Sequence, residues 1–165
     1  LYCGIGKVNA AHHLSWRLAD RSRPVSRVMN LGSAGSHTYK TGMLVGADRF
    51  VQRDMDLVGL GFTLGTTPFE DIPATLEFPR YFESLTHGVC GSGDSFLQGV
   101  SPVPADIIDM EAYALAKVCL LAKVPFACAK YITDGADEGA SNDWQENLVK
   151  AAASFVDLLK DPRYA

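Results

Sequence analysis

Three carboxylates stand within five residues in the stretch "YITDGADEGASNDW": Asp134, Asp137 and Glu138. An apolar run precedes them, so Asp134 falls where a buried strand is expected to end. Such a carboxylate can be a solvated loop charge, a metal ligand, or a proton donor in a closed pocket. Calcium loops alternate their ligands as D-x-D-x-D-G, a spacing that D-x-x-D-E-G lacks. His12 and His13 are adjacent rather than four apart on a helix, so they cannot face one zinc ion together. No metal site is expected. Glu111 is a further carboxylate, placed in the first turn of a predicted helix between Met110 and Ala112, where the helix dipole favours negative charge. It reads equally well as a solvated helix-start charge or as a group gripping paired hydroxyls of a sugar.

Glycine-rich stretches supply the other chemistry. "LGSAGS" (residues 31–36) would let backbone N–H groups approach a ligand closely, with Ser33 adding a hydroxyl, although an ordinary tight turn is the more frequent meaning of such a run. "GIGK" (residues 4–7) is neither a Walker loop nor a full G-x-G-x-x-G, because Asn9 holds the last glycine position. "CGSGDSF" is not a nucleophile elbow, since Cys90 stands where that motif needs the first glycine before Ser92. It is a flexible loop delivering Phe96, whose ring is either a core residue or a face on which a base can stack.

These groups need a frame. The 165 residues, 47% hydrophobic, suit one compact domain, taken as residues 1–165. Fifteen basic against nineteen acidic residues leave no basic stripe for nucleic acid or a polybasic membrane contact. No apolar run reaches spanning length. No signal peptide is visible, and four cysteines without a C-x-x-C pair read as reduced thiols of a cytoplasmic protein. "KVNAAHHLSWRLADRS" has Val8, Ala11, Leu14 and Leu18 near helical spacing. Strands are expected at residues 25–31, running into "GSAGS", and in "MLVGADRFVQ". Glycine, proline and threonine crowd residues 56–81 into a long loop. A helix follows Asp109 as N-cap, with Leu115, Val118, Cys119 and Ala122 on one face. "PFACAKYIT" suits a strand covered on both faces. In the last helix, Asn142 and Gln145 have capping-box spacing, and Trp144, Leu148, Ala151, Ala152, Phe155 and Leu159 form the buried stripe. Alternating strands and helices predict an α/β sheet with helices on both faces, and ligands beyond the strand C-termini.

Taken in order, "GIGKVNAA", "LGSAGS", "GSGDSF", "DMEAYALAKVC" and "ITDGADE" resemble the blocks of the purine nucleoside phosphorylase and nucleosidase superfamily, and within it the methylthioadenosine/S-adenosylhomocysteine nucleosidases. The likeness runs from Gly4 over nearly the whole chain. It implies a three-layer α/β/α fold with a central mixed, mostly parallel sheet, and an N-ribosyl hydrolase that releases adenine without a cofactor. By the match, Asp134 is the general acid protonating adenine N7, which requires a carboxyl protonated near neutral pH through burial. Glu111 binds the ribose hydroxyls and Ser33 sits beside the ribose and the attacking water. Met110 packs on the sugar, Phe96 stacks on the base and the Leu97 backbone reads its edge. Ser92 and Lys130 complete the substrate-binding set, while Asp137 and Glu138 brace the loop.

The resemblance also sets alternatives. Phosphorylases of the superfamily hold phosphate with arginines, one typically just before the "GSAG"-like block. Here Met29, Asn30 and Leu31 stand there, so water is the expected acceptor. A phosphorylase and a catalytically silent purine-binding module are the competing functions. The family's first strand and its glutamate-rich, water-activating loop are expected ahead of Leu1, and Lys130 replaces a family arginine. The family pattern also implies a homodimer, with "GFTLGTTPFEDIP" (residues 61–73) closing the partner's 5′ pocket.

Overall fold

The computed structural model describes residues 1–97, 99–136 and 140–164, excluding the side chains of residues 140–146 and 148. Asp137, Glu138, Asn142, Trp144, Gln145 and Leu148, named above, therefore lie outside the described residues or side chains.

Nine buried residues in a row, "FACAKYITD", make the strand β6 (Phe126–Asp134) around which the fold is built. It pairs in parallel with β1 (Val28–Gly35) and antiparallel with the first half of β2 (Leu44–Gln52). β2 continues in parallel to β4 (His87–Ser92), which pairs in parallel with β5 (Ile107–Asp109). β5 meets β1 at Gly35↔Ile108, and the short β3 (Thr75–Glu77) lies along the second half of β2. The sheet is mixed, as expected. It is also closed on itself, because one edge of β2 is divided between β6 and β3. That closure was not anticipated.

Alternation along β6 sends Phe126, Cys128 and Ile132 to one apolar cluster and Ala127 and Ala129 to another. The first is covered by α1 (Lys7–Ala19) and α2 (Ala112–Ala122). The second packs under Phe155 and Leu158 of α3 (Ala140–Lys160). α1 and α2 thus cover one cluster and α3 the other.

Three expectations need correcting. In α1 the buried residues are Ala10 and Leu14, with Ala11 and Leu18 beside them, while Val8 faces outward. In α3 the covered positions are Ala151, Phe155 and Leu158, and Ala152 and Leu159 are exposed. β1 begins three residues later than expected and runs through the glycines to Gly35, so "GSAG" is strand rather than turn.

Candidate functional site

The C-terminal ends of four strands form one row. Ser92 pairs with Asp109, and Gly35 pairs with Ile108 on one side and Asp134 on the other. The β1–β6 register slips at Ala34/Gly35, so Gly35 faces Asp134 directly and Thr133 is skipped.

Asp134, 3% exposed, is the last residue of β6. Its Oδ1 accepts the Ala136 N–H at 2.9 Å, and its Oδ2 accepts the Thr133 hydroxyl at 2.8 Å. The first bond is an Asx-turn, which pulls Ala136 to φ 52°. A left-handed alanine costs on the order of 1–2 kcal/mol, offset here by fixing the carboxyl group. Gly99 donates to the Ala136 carbonyl at 3.0 Å, and the His37 ring meets the Gly99 carbonyl at 2.7 Å, so a second loop closes over this turn.

Glu111 occupies the N-cap of α2, one residue before its first turn, and its Oε1 accepts the Gly6 N–H at 2.9 Å. Burial, and then the Asp109 charge, raise its carboxyl above the ordinary value of 4.5. Gly6, at φ 90°, belongs to the "GIGK" turn, so that turn serves Glu111. Cys3 also lies in this neighbourhood, and burial and the Glu111 charge raise its thiol.

Beneath the row is a buried ion pair. Lys130 Nζ stands 2.7 Å from Asp109 Oδ2, with both side chains almost fully enclosed. Asp109 also accepts from Ser92 Oγ at 2.5 Å and from the Ala112 N–H at 2.9 Å, while Ser92 Oγ accepts the Tyr113 N–H at 2.8 Å. Burial would raise the Asp109 carboxyl, but the Lys130 ammonium and these hydrogen bonds hold it below 3.8. Burial would lower Lys130, but Asp109 keeps it above 10.5. Asp109 was expected as the N-cap of α2; it is instead the end of β5 and reaches the helix start through its side chain. Ser92 and Lys130 were expected against substrate. Both are buried, and their polar atoms meet Asp109.

Ser33 lies on β1 two residues before Gly35, opposite Tyr131. Met110 is half-buried between Asp109 and Glu111, and Leu97 is half-buried after Phe96. Phe96 is 50% exposed, so it is not a core residue. Sequence reasoning missed what holds its loop: Arg53, at the end of β2, is 2% exposed and grips residues 93–95. The next residue, Asp54, takes the Asp94 N–H at 2.8 Å and the Lys7 ammonium at 2.5 Å. The arginine–aspartate pair just past an apolar strand was the only local signal. An apolar hollow of about 380 Å³ between α1 and α2, lined by Leu18, Val118 and Leu121, lies away from this row.

A closed mixed sheet with two carboxylates at the strand ends, one of them heading a helix, defines an α/β protein built to hold a small polar molecule at its strand C-termini. The family model of the phosphorylase superfamily matches residues 1–161, and the chain belongs to that superfamily. A 5′-methylthioadenosine/S-adenosylhomocysteine nucleosidase of Haemophilus influenzae is 32% identical over 180 residues, covering 96% of this chain and 77% of the relative. The structure of the nucleosidase of that name from Helicobacter pylori, bound to butyl-thio-DADMe-Immucillin-A, superimposes with a TM-score of 0.87 at 29% identity, covering 96% and 76% of the two chains. A futalosine hydrolase of Helicobacter pylori matches with TM-score 0.87, 28% identity and the same coverage.

Proposed function

We propose that this chain is an N-ribosyl hydrolase that releases adenine from 5′-substituted adenosines of the methylthioadenosine and S-adenosylhomocysteine kind. The observation that carries the proposal is Asp134: a buried carboxyl at a strand end, fixed at both oxygens, in a chain related to nucleosidases.

In this mechanism Asp134 donates a proton to adenine N7 as the C1′–N9 bond breaks, so the base leaves neutral. Glu111 accepts hydrogen bonds from the ribose hydroxyls and stabilises positive charge growing on the sugar. Its fixed Oε1 and half-buried setting suit that role. Water adds to C1′ beside Ser33 and loses a proton, which balances the one carried off by adenine. Met110 packs on the sugar, Phe96 on the base, and the Leu97 backbone reads the base edge. Lys130 and Ser92 act from beneath, through Asp109, by setting the start of α2.

Water rather than phosphate is the acceptor. The two buried cations near the row, Lys130 and Arg53, are both engaged by protein oxygens. The three-layer frame of the nucleoside phosphorylase/hydrolase fold accords with α1 and α2 on one face and α3 on the other. A cytoplasmic homodimer completes the proposal. Its candidate contact is the loop bearing Phe69, 99% exposed and packed edge-to-face on Phe62.

The test is chromatographic measurement of adenine released from methylthioadenosine, with and without phosphate. Release independent of phosphate is expected, and Asp134→Asn should lower it by about 10²–10⁴-fold. Phosphate-dependent release would make the protein a phosphorylase. Full turnover by Asp134→Asn would remove the proton-donor role.

A further inference from the structure

We propose that Arg53 is a positioning residue that holds the loop of residues 93–97 in its base-receiving conformation, so that nucleobase affinity depends on a side chain that never touches the base. The proposal rests on Phe96 being the base platform, as set out above.

The loop has little of its own to fix it. β4 ends at Ser92, and Asp94, Ser95 and Phe96 are all exposed, so no apolar burial anchors the tip. Beyond the strand its carbonyls need donors from elsewhere. Arg53 supplies them from below. Nη2 donates to the Gly93 carbonyl at 3.2 Å and to the Ser95 carbonyl, and Nη1 donates to Ser95 Oγ at 3.1 Å. One planar fork therefore grips two residues of the loop, immediately before Phe96. Lysine carries its three donors on one nitrogen rather than on a planar fork, so it cannot span Gly93 and Ser95 in this way.

The fit is close. A methyl group on Gly93 would stand 2.8 Å from Arg53 Cζ, 3.0 Å from Nη1 and 3.1 Å from Cγ, its three nearest neighbours. Gly93 is therefore shaped around the guanidinium. Asp54 extends the grip sideways by accepting the Asp94 N–H at 2.8 Å, and Asp94 in turn accepts the Lys7 N–H at 2.7 Å at the start of α1. Arg53 Nε is buried and has no protein acceptor among the described residues, so the side chain spends its other donors on the loop at the expense of this one. Burial of a guanidinium is costly and lowers its pKa, and here the loop carbonyls and the nearby Asp54 charge offset part of that cost.

The experiment uses the whole chain as wild type and as Arg53→Lys, Arg53→Met, Gly93→Ala, Phe96→Ala and the Gly93→Ala/Arg53→Met double variant. Four quantities are read: kcat and KM for adenine release, the dissociation constant of free adenine, the thermal midpoint, and hydrogen exchange of the loop amides. Both Arg53 variants and Gly93→Ala should raise KM and weaken adenine binding by about tenfold, approaching Phe96→Ala, with kcat little changed. Loop amides should exchange faster in the same variants. The double variant should be little worse than Arg53→Met alone, because the two atoms nearest the new methyl, Cζ and Nη1, are then gone and Cγ, at 3.1 Å, is what remains. A lowered thermal midpoint with unchanged KM, adenine affinity and loop exchange would overturn the proposal. So would full adenine affinity in Arg53→Lys. If wild type released no adenine, the hydrolase assignment would fall. Loop exchange and adenine binding would still decide the role of Arg53.

Discussion

Gly35→Ala tests the placement of Asp134 without touching its chemistry. A methyl group on residue 35 would stand 2.5 Å from Asp134 Oδ1 and 3.1 Å from Ala136 Cβ. Carbon and oxygen atoms in contact need roughly 3.4 Å or more, so something must yield by about 1 Å. Ala136 is poorly placed to do so. Its Cα already lies 3.4 Å from the new methyl, and its carbonyl is held by Gly99. The carboxyl must move instead. Its bonds to the Ala136 N–H and the Thr133 hydroxyl are 2.9 and 2.8 Å long. A displacement of about 1 Å carries either of them past hydrogen-bonding distance.

A misplacement of about 1 Å can cost on the order of 100-fold in rate, and that is the fall in kcat expected for Gly35→Ala. Overpacking should also remove about 1–3 kcal/mol of stability. For a chain of this size that corresponds to a fall of roughly 2–12 °C in thermal midpoint. Adenine release should therefore be measured at 25 °C or below, beside the melting curve. Gly32→Ala on the same strand is the control. Its methyl would meet only Lys130 Nζ, at an ordinary 3.4 Å, and turnover should stay near wild type. If Gly35→Ala folds and keeps wild-type kcat, proton donation does not depend on where Asp134 now stands, and the mechanism fails.

Lys130→Met leaves Asp109 buried without its counter-ion and should cost roughly 3–5 kcal/mol, read by denaturant unfolding at neutral pH. The Asp109 carboxyl is held below 3.8 and the Lys130 ammonium above 10.5. The pair's contribution is therefore complete between those values and is lost only in stronger acid or base, which pH-dependent melting will show. Glu111→Gln replaces an acceptor needed in its charged form and should lower kcat/KM by about 10–100-fold in the adenine assay. The raised Glu111 value places an acid limb of kcat/KM above pH 4.5 in the wild type, and Glu111→Gln should abolish it. Ionising that group costs the folded state stability once pH rises past 4.5, so Glu111→Gln should melt higher than wild type at neutral pH, with the gain vanishing in acid.

The parts of the fold that were legible in the sequence have local causes. Pro125 and Gly135 bracket an apolar run, which marked β6 and placed Asp134 at its end. The glycines of β1 misled for a physical reason. Gly32 and Gly35 read as turn residues, yet in the strand they make room for Lys130 Nζ and the Asp134 carboxyl. β3 and β5 are three residues each, too short to show a period of two. In the α3 stripe Ala151 and Phe155 were placed rightly, while Ala152 and Leu159 were not, because alanines at 151–153 and adjacent leucines at 158 and 159 offer no contrast.

Arg53 and Lys130 show a second kind of limit. Each stands in or just after an apolar strand, which announces a buried partner but not its identity. The partners are Ser95, 42 residues away, and Asp109 on another strand. Strand pairing brings them together, β2 with β4 in the first case and β5 and β6 on either side of β1 in the second. The second arrangement has a functional consequence. Lys130 belongs to the strand that ends in Asp134, and Asp109 binds the first N–H of the helix that starts beside Glu111. The ion pair therefore joins the element carrying the proposed proton donor, Asp134, to the element carrying the proposed sugar ligand, Glu111. The distance between the two carboxylates is set from beneath, by a buried charge pair and the Ser92 hydroxyl that links it to α2.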